Sequence, residues 1–360
     1  MRSVEITDMG GAKRNSSLEL LRIISMWLIV FYHFHLHVLS VDGELFYKAI
    51  MIPLHIGVPL FVLISGYFGI NASVKGFSKF VVKVGFYSIL LLALALVLRR
   101  CFAWAYPVSI KQVAGGVFFF SRTNNLWFVR SYIILYLISP FWNKAISEQT
   151  FKQRIGLIAI LFFVSFWFYL IGQVPEVNDH SILTMLTIYT IGRTIRDFNL
   201  VDIISPRKNL MYYCIVTILI TAIYILLAQT KVAGLAWICL FKYNSPFLLL
   251  SAALFFMLFA RKEYYKPWIN YVSTSTFAVY LISENSLTNL YIYDIVENIQ
   301  QSMPLIPMYV ALLLFVTVIF CFCILVDKIT SPLQTRASVV VERIINKSLR
   351  HIHLPSAHHL

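Results

Sequence analysis

One apolar stretch near the N-terminus carries an arginine and three histidines, side chains that could do acid–base chemistry. Arg22 and His33 are eleven residues apart. In an α-helix this spacing is three turns plus about 20°, so both side chains project from one face, about 16 Å apart along the axis. His37 shares that face, whereas His35 points elsewhere. A fixed cation and an imidazole at different depths suit a ligand that is anionic at one end and reactive at the other.

Charged and titratable side chains inside a membrane span are costly, so they suggest a function. His33 is suited to act as a general base toward a hydroxyl, because imidazole titrates near neutrality. The spacing is equally compatible with a structural role. Arg22 could pair with Glu19 at the start of the helix, and the histidines could lie near the outer headgroups.

The composition of the whole chain indicates a membrane setting for this helix. Hydrophobic residues make up 59% of the 360 residues and charged residues only 13%, against about 25% charged in soluble proteins. The mean hydropathy is +0.77, and the apolar residues form blocks long enough to cross a hydrocarbon core. These values exclude soluble, disordered, collagen-like and small disulfide-rich proteins. We expect an all-α, polytopic bundle of about ten transmembrane helices in the cell membrane.

Ten apolar segments are candidate spans. They are residues 18–39, 53–70, 80–98, 126–143, 155–173, 182–196, 210–228, 245–260, 271–291 and 305–325. A further apolar stretch at 234–241 is too short to cross the membrane and fits a re-entrant segment. We expect residues 18–325 to form one membrane domain, preceded by a cytoplasmic segment at 1–17 and followed by a basic cytoplasmic tail at 326–360.

The net charge of +14 comes from short basic clusters between the spans. With the N-terminus inside, 21 of the 30 lysines and arginines fall in inner segments and seven in outer loops. This bias predicts that both termini are cytoplasmic. The basic residues are not gathered on one soluble face, so nucleic acid is not an expected partner. The five cysteines have no metal-ligand spacing, and we expect no metal site.

The outer loop at 99–125 departs from this bias, because it holds four basic residues and no acidic one. It begins with Arg99 and Arg100. These arginines could extend to lipid phosphates. Alternatively, they could form a surface outside the membrane that attracts a charged glycan or a lipid diphosphate.

Four motifs follow one another along the chain. The first is SLELLR, which ends at Arg22 and is followed after ten residues by His33. The others are FVLISGYFG from Phe61, NLWF from Asn125 with LYLISP from Leu135, and STSTFAVYLI from Ser273. Together they resemble the integral-membrane acyltransferase-3 family, whose opening signature is arginine, ten residues and histidine. The motifs extend over about 260 residues, which makes the resemblance specific.

One position departs from the pattern of that family. Where many relatives continue the last motif with a histidine, this chain has Ser283 and then Glu284. Any role of that second histidine therefore does not carry over. Glu284 could replace it as a polar group, or it could only hydrogen-bond a neighbouring helix.

The resemblance implies a membrane O-acyltransferase that moves acetyl from cytoplasmic acetyl-CoA to a hydroxyl of a cell-surface polysaccharide or lipid-linked glycan. His33 would be the general base, and Arg22 would hold the phosphates of the donor at the other end of the site. Lys75 and Lys79 could hold those phosphates as well. Ser65 is a candidate contact for the donor, although a small residue there could equally serve close helix packing.

A second group of residues is expected to bind the acceptor. Its members are Asn125, Trp127, Arg130 and Glu284, with Arg99 and Arg100 in the outer loop. Trp127 could instead anchor the helix at the membrane interface, and Arg130 could extend to the headgroups. His55, near the outer end of the second span, is a weaker candidate for proton transfer.

Two other functions are compatible with so apolar a chain. A transporter or flippase for a lipid-linked glycan could use the basic loop as a docking surface, but the sequence has no internal repeat and no pair of interrupted spans, the usual marks of transporters. An enzyme of glycan polymerisation usually has a long outer loop, whereas the longest here has about 27 residues. No feature of the sequence indicates an oligomeric state.

Overall fold

The computed structural model describes residues 14–39, 45–118, 126–170 and 177–351, together with Gly172 and Val174. Over these ranges the longer regular elements are all helical, as predicted. The helices are α1 Ser16–His37, α2 Leu45–His55, α3 Gly57–Phe68, α4 Val74–Cys101, α5 Ile110–Val117, α6 Trp127–Ser147, α7 Phe151–Leu170, α8 Ile182–Asp197, α9 Pro206–Leu227, α10 Ala233–Phe241, α11 Pro246–Ala260, α12 Pro267–Ser273, α13 Thr276–Ser283, α14 Asn289–Ser302 and α15 Leu305–His351.

Seven stretches of the described residues are long and apolar enough to cross a membrane. They are Ser16–His37, Ala49–Phe68, Val74–Cys101, Phe151–Leu170, Pro206–Leu227, Ala233–Ala260 and Leu305–Leu349. Each overlaps one of the ten predicted spans, and the chain is therefore a multi-pass helical membrane protein. The apolar stretch at 234–241 forms the short helix α10, which packs against α9 and α11.

The three other predicted spans differ from these seven for separate physical reasons. Helix α6 has 21 residues but is less apolar, because Arg130 and Lys144 are joined by several uncharged polar side chains. Helix α8 has only 16 residues, about 24 Å at 1.5 Å per residue. The predicted span at 271–291 is divided among α12, α13 and α14. The number of ten spans and the cytoplasmic position of both termini therefore remain predictions.

Helix α1 lies at the centre of the bundle, where α2, α3, α11, α12, α13 and α15 all pack against it. It begins after Asn15, whose side chain accepts a hydrogen bond from the backbone N–H of Ser17 at 2.9 Å, as an N-cap residue does. Apolar side chains such as Leu21 and Phe34 are buried on several sides of the helix. The side chains of α1 therefore face the interior of the protein and not lipid alone.

The second span is broken and closely packed. Helix α2 contains Pro53 and ends at His55, and the chain resumes helical structure at Gly57. A Cβ atom on Gly57 would lie 2.8 Å from the backbone oxygen of Ser25, so α3 approaches α1 as closely as a glycine allows. At the other end of α3, a Cβ on Gly66 would overlap the backbone of α8. Small residues here serve close helix packing.

The last helix, α15, runs without interruption from Leu305 to His351, 47 residues in all. At 1.5 Å per residue it is about 70 Å long, more than twice the thickness of a hydrocarbon core. It is joined to α4 by polar contacts: Lys83 donates to the carboxylate of Asp327 at 2.9 Å, and the hydroxyl of Tyr87 donates to the same group at 2.8 Å.

Candidate active site

A cavity of about 270 Å³ lies where the C-terminal part of α1 meets the break between α2 and α3, the start of α6 and the end of α13. Two histidines of α1, His33 and His37, line it together with Glu284. A site of this size is slightly smaller than the ~300–1,000 Å³ of drug-sized ligand sites. It would hold a small polar group such as one sugar ring.

His33 and Glu284 face each other across this cavity. Nε2 of His33 lies 3.5 Å from Oε2 of Glu284, and the two side chains are only 13% and 4% exposed. The other ring nitrogen, Nδ1, lies 2.7 Å from the backbone oxygen of Ile29. A carbonyl oxygen can only accept, so Nδ1 carries the proton of the neutral ring and Nε2 presents its lone pair to the carboxylate.

Glu284 reaches this position because it is the residue at which α13 ends. Its backbone N–H still bonds to the carbonyl of Tyr280, and helical structure resumes only at Asn289. Hydroxyl groups support the carboxylate: Ser283 donates to Oε1 at 3.3 Å and Tyr293 donates to Oε2 at 3.4 Å. The carboxylate is thus held toward His33.

Aromatic and charged side chains form the opposite wall, and most of them were not predicted from the sequence. The ring of His180 stacks on Trp127 with centroids 3.9 Å apart, and the ring of Tyr243 lies 5.6 Å from Trp127. Asp179 lies 3.4 Å from Nζ of Lys242 and 3.7 Å from His180. All of these residues line the cavity.

Sequence signals for this wall were weak. Asp179 lies between two predicted spans, and Lys242 is one of the seven basic residues assigned to outer loops. Nothing in the sequence pairs the two, because they are 63 residues apart. Trp127, by contrast, was predicted to contact the acceptor and does line the cavity.

His55 lines the same cavity from the end of α2. Its ring is 5% exposed and packs against Tyr32 and Tyr243, each with centroids 4.4 Å apart. Among the residues that the structure describes, neither ring nitrogen of His55 has a hydrogen-bond partner. The neutral imidazole therefore offers one donor and one acceptor inside the cavity.

Arg22 lies deeper along α1 and is not part of this cavity. Its guanidinium is 2.9 Å from Glu19 and 5.9 Å from the ring centroid of Phe61. The pair with Glu19, one of the alternatives that the sequence left open, is therefore present. Ser65 lies nearby on α3, where its hydroxyl donates to the carbonyl of Phe61 at 3.1 Å and lies 3.3 Å from the hydroxyl of Tyr132.

A second cavity, of about 390 Å³, lies between α4, the start of α13 and α15. Three lysines line it: Lys79, Lys83 and Lys328. Lys83 is paired with Asp327, and Lys328 donates to Thr274 at 2.7 Å. Of the two lysines predicted to hold donor phosphates, Lys79 lines this cavity, whereas Lys75 does not.

A row of aromatic rings runs between the two cavities. Its members, in order, are Tyr280, Phe128, Tyr132, Phe80 and Phe277, with successive centroids 5.3–5.9 Å apart. Tyr280 lines the first cavity, and the last two rings line the second. Ser65 touches the middle of the row through the hydroxyl of Tyr132.

The three arginines predicted to bind the acceptor lie outside the first cavity. Arg99 donates to the backbone oxygens of Ala103 and Ala105, at 3.2 and 3.0 Å, at the end of α4. Arg100 follows it and is exposed. Arg130 lies in the first turn of α6, within electrostatic range of His180 and Tyr280.

Asn125 lies outside the described residues. No group of three or more histidine, cysteine, aspartate or glutamate side chains in the described part of the chain could hold a metal ion.

Comparison with known proteins identifies the family. Searches of curated protein sequences and of solved structures found no match. A family model described as an acyltransferase domain matches residues 15–326, a range that includes Arg22, His33 and Glu284. Because the match covers most of the chain, this multi-pass membrane protein belongs to the acyltransferase 3 family.

Proposed function

We propose that the protein is a membrane O-acetyltransferase, which moves acetyl from cytoplasmic acetyl-CoA to a hydroxyl of a cell-surface polysaccharide or lipid-linked glycan. One observation carries the proposal: His33, the histidine of the opening motif, faces the carboxylate of Glu284 at 3.5 Å inside a buried cavity. The burial of both side chains limits the access of water to the reacting atoms, which favours transfer to the acceptor over hydrolysis of the donor.

His33 and Glu284 act together as the general base. Nδ1 of His33 is held as a donor by Ile29, so Nε2 can accept a proton, and the ionised carboxylate opposite it can accept as well. A hydroxyl that enters beside them meets both acceptors. Once its proton moves to Nε2, the imidazolium lies opposite a carboxylate, which stabilises the charge that develops during the reaction.

The acetyl group then moves from the thioester to the acceptor oxygen. The hydroxyl oxygen attacks the carbonyl carbon of the thioester, the carbon–sulfur bond breaks and the sulfur leaves as a thiolate. The proton taken by His33 goes to that thiolate. Tyr280 accepts the backbone N–H of Phe128 at 3.3 Å, so its own proton can point into the cavity and hydrogen-bond the oxyanion of the tetrahedral intermediate.

The donor is proposed to enter from the cytoplasmic side. Arg22, Lys79 and Lys75 would hold its phosphates, with Arg22 contributing through the fork geometry of its guanidinium. The lysine-lined second cavity supports this assignment. The row of aromatic rings between the cavities would form one wall for the pantetheine arm, with Ser65 as a hydrogen-bonding contact beside it.

The acceptor is proposed to enter from outside and to contact Trp127 and Glu284 in the first cavity. Arg130 would contribute beside that cavity, and Asn125 is proposed to contact the acceptor as well. Arg99 and Arg100 would act farther out, on an anionic part of the same glycan or on the lipid phosphates that carry it. This division places charge recognition outside the cavity and bond making within it.

The test compares the wild type with His33→Ala and with His35→Ala in cells that carry a candidate glycan. Mass spectrometry of the glycan should find ester-linked acetyl with the wild type and with His35→Ala, and none with His33→Ala. His35 is the matched control, because it is a buried histidine of the same helix that does not line the cavity. A wild type that adds no acetyl but moves lipid-linked sugar across the membrane would instead identify a flippase.

A further inference from the structure

The break between α2 and α3 directs one histidine into the reaction cavity. Pro53 lies two residues before His55, and Gly57 follows two residues after it, where α3 is held tightly against α1. His55 is therefore fixed by the backbone on both sides. Its ring is further held by the rings of Tyr32 and Tyr243.

Nothing in the described protein satisfies the polar atoms of this ring. Both nitrogens of His55 are buried and lack a hydrogen-bond partner, although buried polar groups are nearly always paired. His35, another buried histidine, shows the ordinary arrangement: its Nδ1 lies 3.0 Å from the oxygen of Phe31 and its Nε2 lies 3.2 Å from the hydroxyl of Tyr309. Since His55 lines the cavity that holds His33, its missing partners point to a bound ligand.

The charges around the cavity indicate what kind of ligand this is. Lys242 is paired with Asp179 at 3.4 Å, and Glu284 faces His33. The lining therefore holds one lysine against two carboxylates, and that lysine is already paired with Asp179. A carboxylate or phosphate would find no unpaired lysine in this lining, whereas hydroxyl groups can bond to imidazole and carboxylate alike.

We propose that His55 is an acceptor-positioning residue that binds two hydroxyl-bearing positions of an uncharged sugar ring. One nitrogen accepts a hydrogen bond from a hydroxyl and the other donates to an oxygen of the same ring. This contact holds the reacting hydroxyl toward His33 and Glu284. The inference rests on the proposed acetyltransferase function and adds to it the class of acceptor and the residue that selects it.

The test uses the purified full-length protein, radiolabelled acetyl-CoA and a set of p-nitrophenyl glycosides in which neutral hexosides are paired with the corresponding hexuronides. His55→Phe keeps a ring between Tyr32 and Tyr243 but removes both nitrogens. His55→Gln keeps one donor and one acceptor. His35→Phe is the matched control, because it removes two nitrogens from a histidine outside the cavity. Melting temperatures show which variants are folded.

We expect His55→Phe to raise the KM for the neutral hexoside about tenfold, since a buried polar group of the ligand loses its partner. The KM for acetyl-CoA should stay within about twofold of the wild-type value. The donor does not contact this ring and therefore loses no hydrogen bond in the variant. His55→Gln should give an intermediate KM for the hexoside, and His35→Phe should match the wild type.

Other results would overturn the inference. An unchanged acceptor KM in His55→Phe, or in His55→Gln if the first variant does not fold, removes His55 from the acceptor site. A fall in kcat without a change in acceptor KM makes it a proton carrier instead. Transfer to hexuronides as efficient as to hexosides, or to no glycoside while the host glycan is acetylated, refutes the neutral ring. If the wild type acetylates neither, the proposed function itself fails.

Discussion

Glu284→Gln should lower kcat about 10²–10⁴-fold, the usual contribution of general acid–base catalysis, without unfolding the protein. Glutamine has the shape of glutamate, and its single amide oxygen can still accept the hydrogen bond from Ser283, while its amide nitrogen takes the position of Oε2. It cannot stabilise an imidazolium on His33. Its amide hydrogens can also occupy Nε2 of His33, which lies 3.5 Å from the carboxylate, and so block the lone pair that takes the proton.

The fall in kcat of the single and double variants separates this prediction from a packing effect. If His33 and Glu284 form one base, removing either should remove most of the same contribution, and the double variant should be little slower than the slower single variant. Independent roles would instead multiply the two losses. The assay is steady-state transfer of radiolabelled acetyl by purified protein, with kcat and both KM values measured for the two single variants and the double variant.

Glu297→Gln is the matched control for the loss of a negative charge. Glu297 lies on α14 and is exposed. Within the described part of the chain its carboxylate accepts a hydrogen bond from the side chain of Gln301. The substitution should leave kcat unchanged. A Glu284→Gln protein with more than half of the wild-type kcat and an unchanged melting temperature would refute the paired base.

Three further predictions concern the donor site and the packing that supports it. Arg22→Ala should weaken acetyl-CoA binding about tenfold, the loss expected for a charge-assisted hydrogen bond; calorimetry on purified protein measures it, and an unchanged affinity would leave Arg22 with only its structural ion pair. Lys79→Ala should weaken the same binding more than Lys75→Ala, because only Lys79 lines the second cavity; equal effects would argue against that cavity as the phosphate site. Gly66→Ala should destabilise the protein by about 1–3 kcal/mol, as overpacking does, because the added methyl overlaps the backbone of α8. Gly156→Ala is the control and should be neutral, since nothing lies within 4 Å of the added atom. Thermal unfolding of the two glycine variants compares them directly.

Some of the alternatives that the sequence left open depend on side-chain contacts that the sequence does not specify. Helical geometry predicted that Arg22 and His33 share a face, but not whether Arg22 would meet Glu19, and the structure contains that pair. Periodicity likewise could not say whether Trp127 faces lipid or the interior, since an aromatic residue suits both. Its stacking on His180 places it in the cavity.

The number of spans also depended partly on composition and partly on tertiary packing. Composition was sufficient to predict an all-α membrane bundle, because apolar blocks of this length have few other solutions. Hydropathy alone did not predict that residues 271–291 form three short helices. That break depends on the helices around it, and it is what allows Glu284 to end α13 beside His33.

The amino-acid sequence by itself determined the fold class through its composition, the family through its motifs, and the face of α1 that carries Arg22 and His33 through the period of one helix. Only the tertiary structure decided which side chains meet His33. Glu284 follows it by 251 residues, and His55 is directed inward by a helix break and a close glycine contact between α1 and α3. These contacts depend on how closely the helices approach each other and on where each helix ends. The pattern of side chains along one helix specifies neither of these.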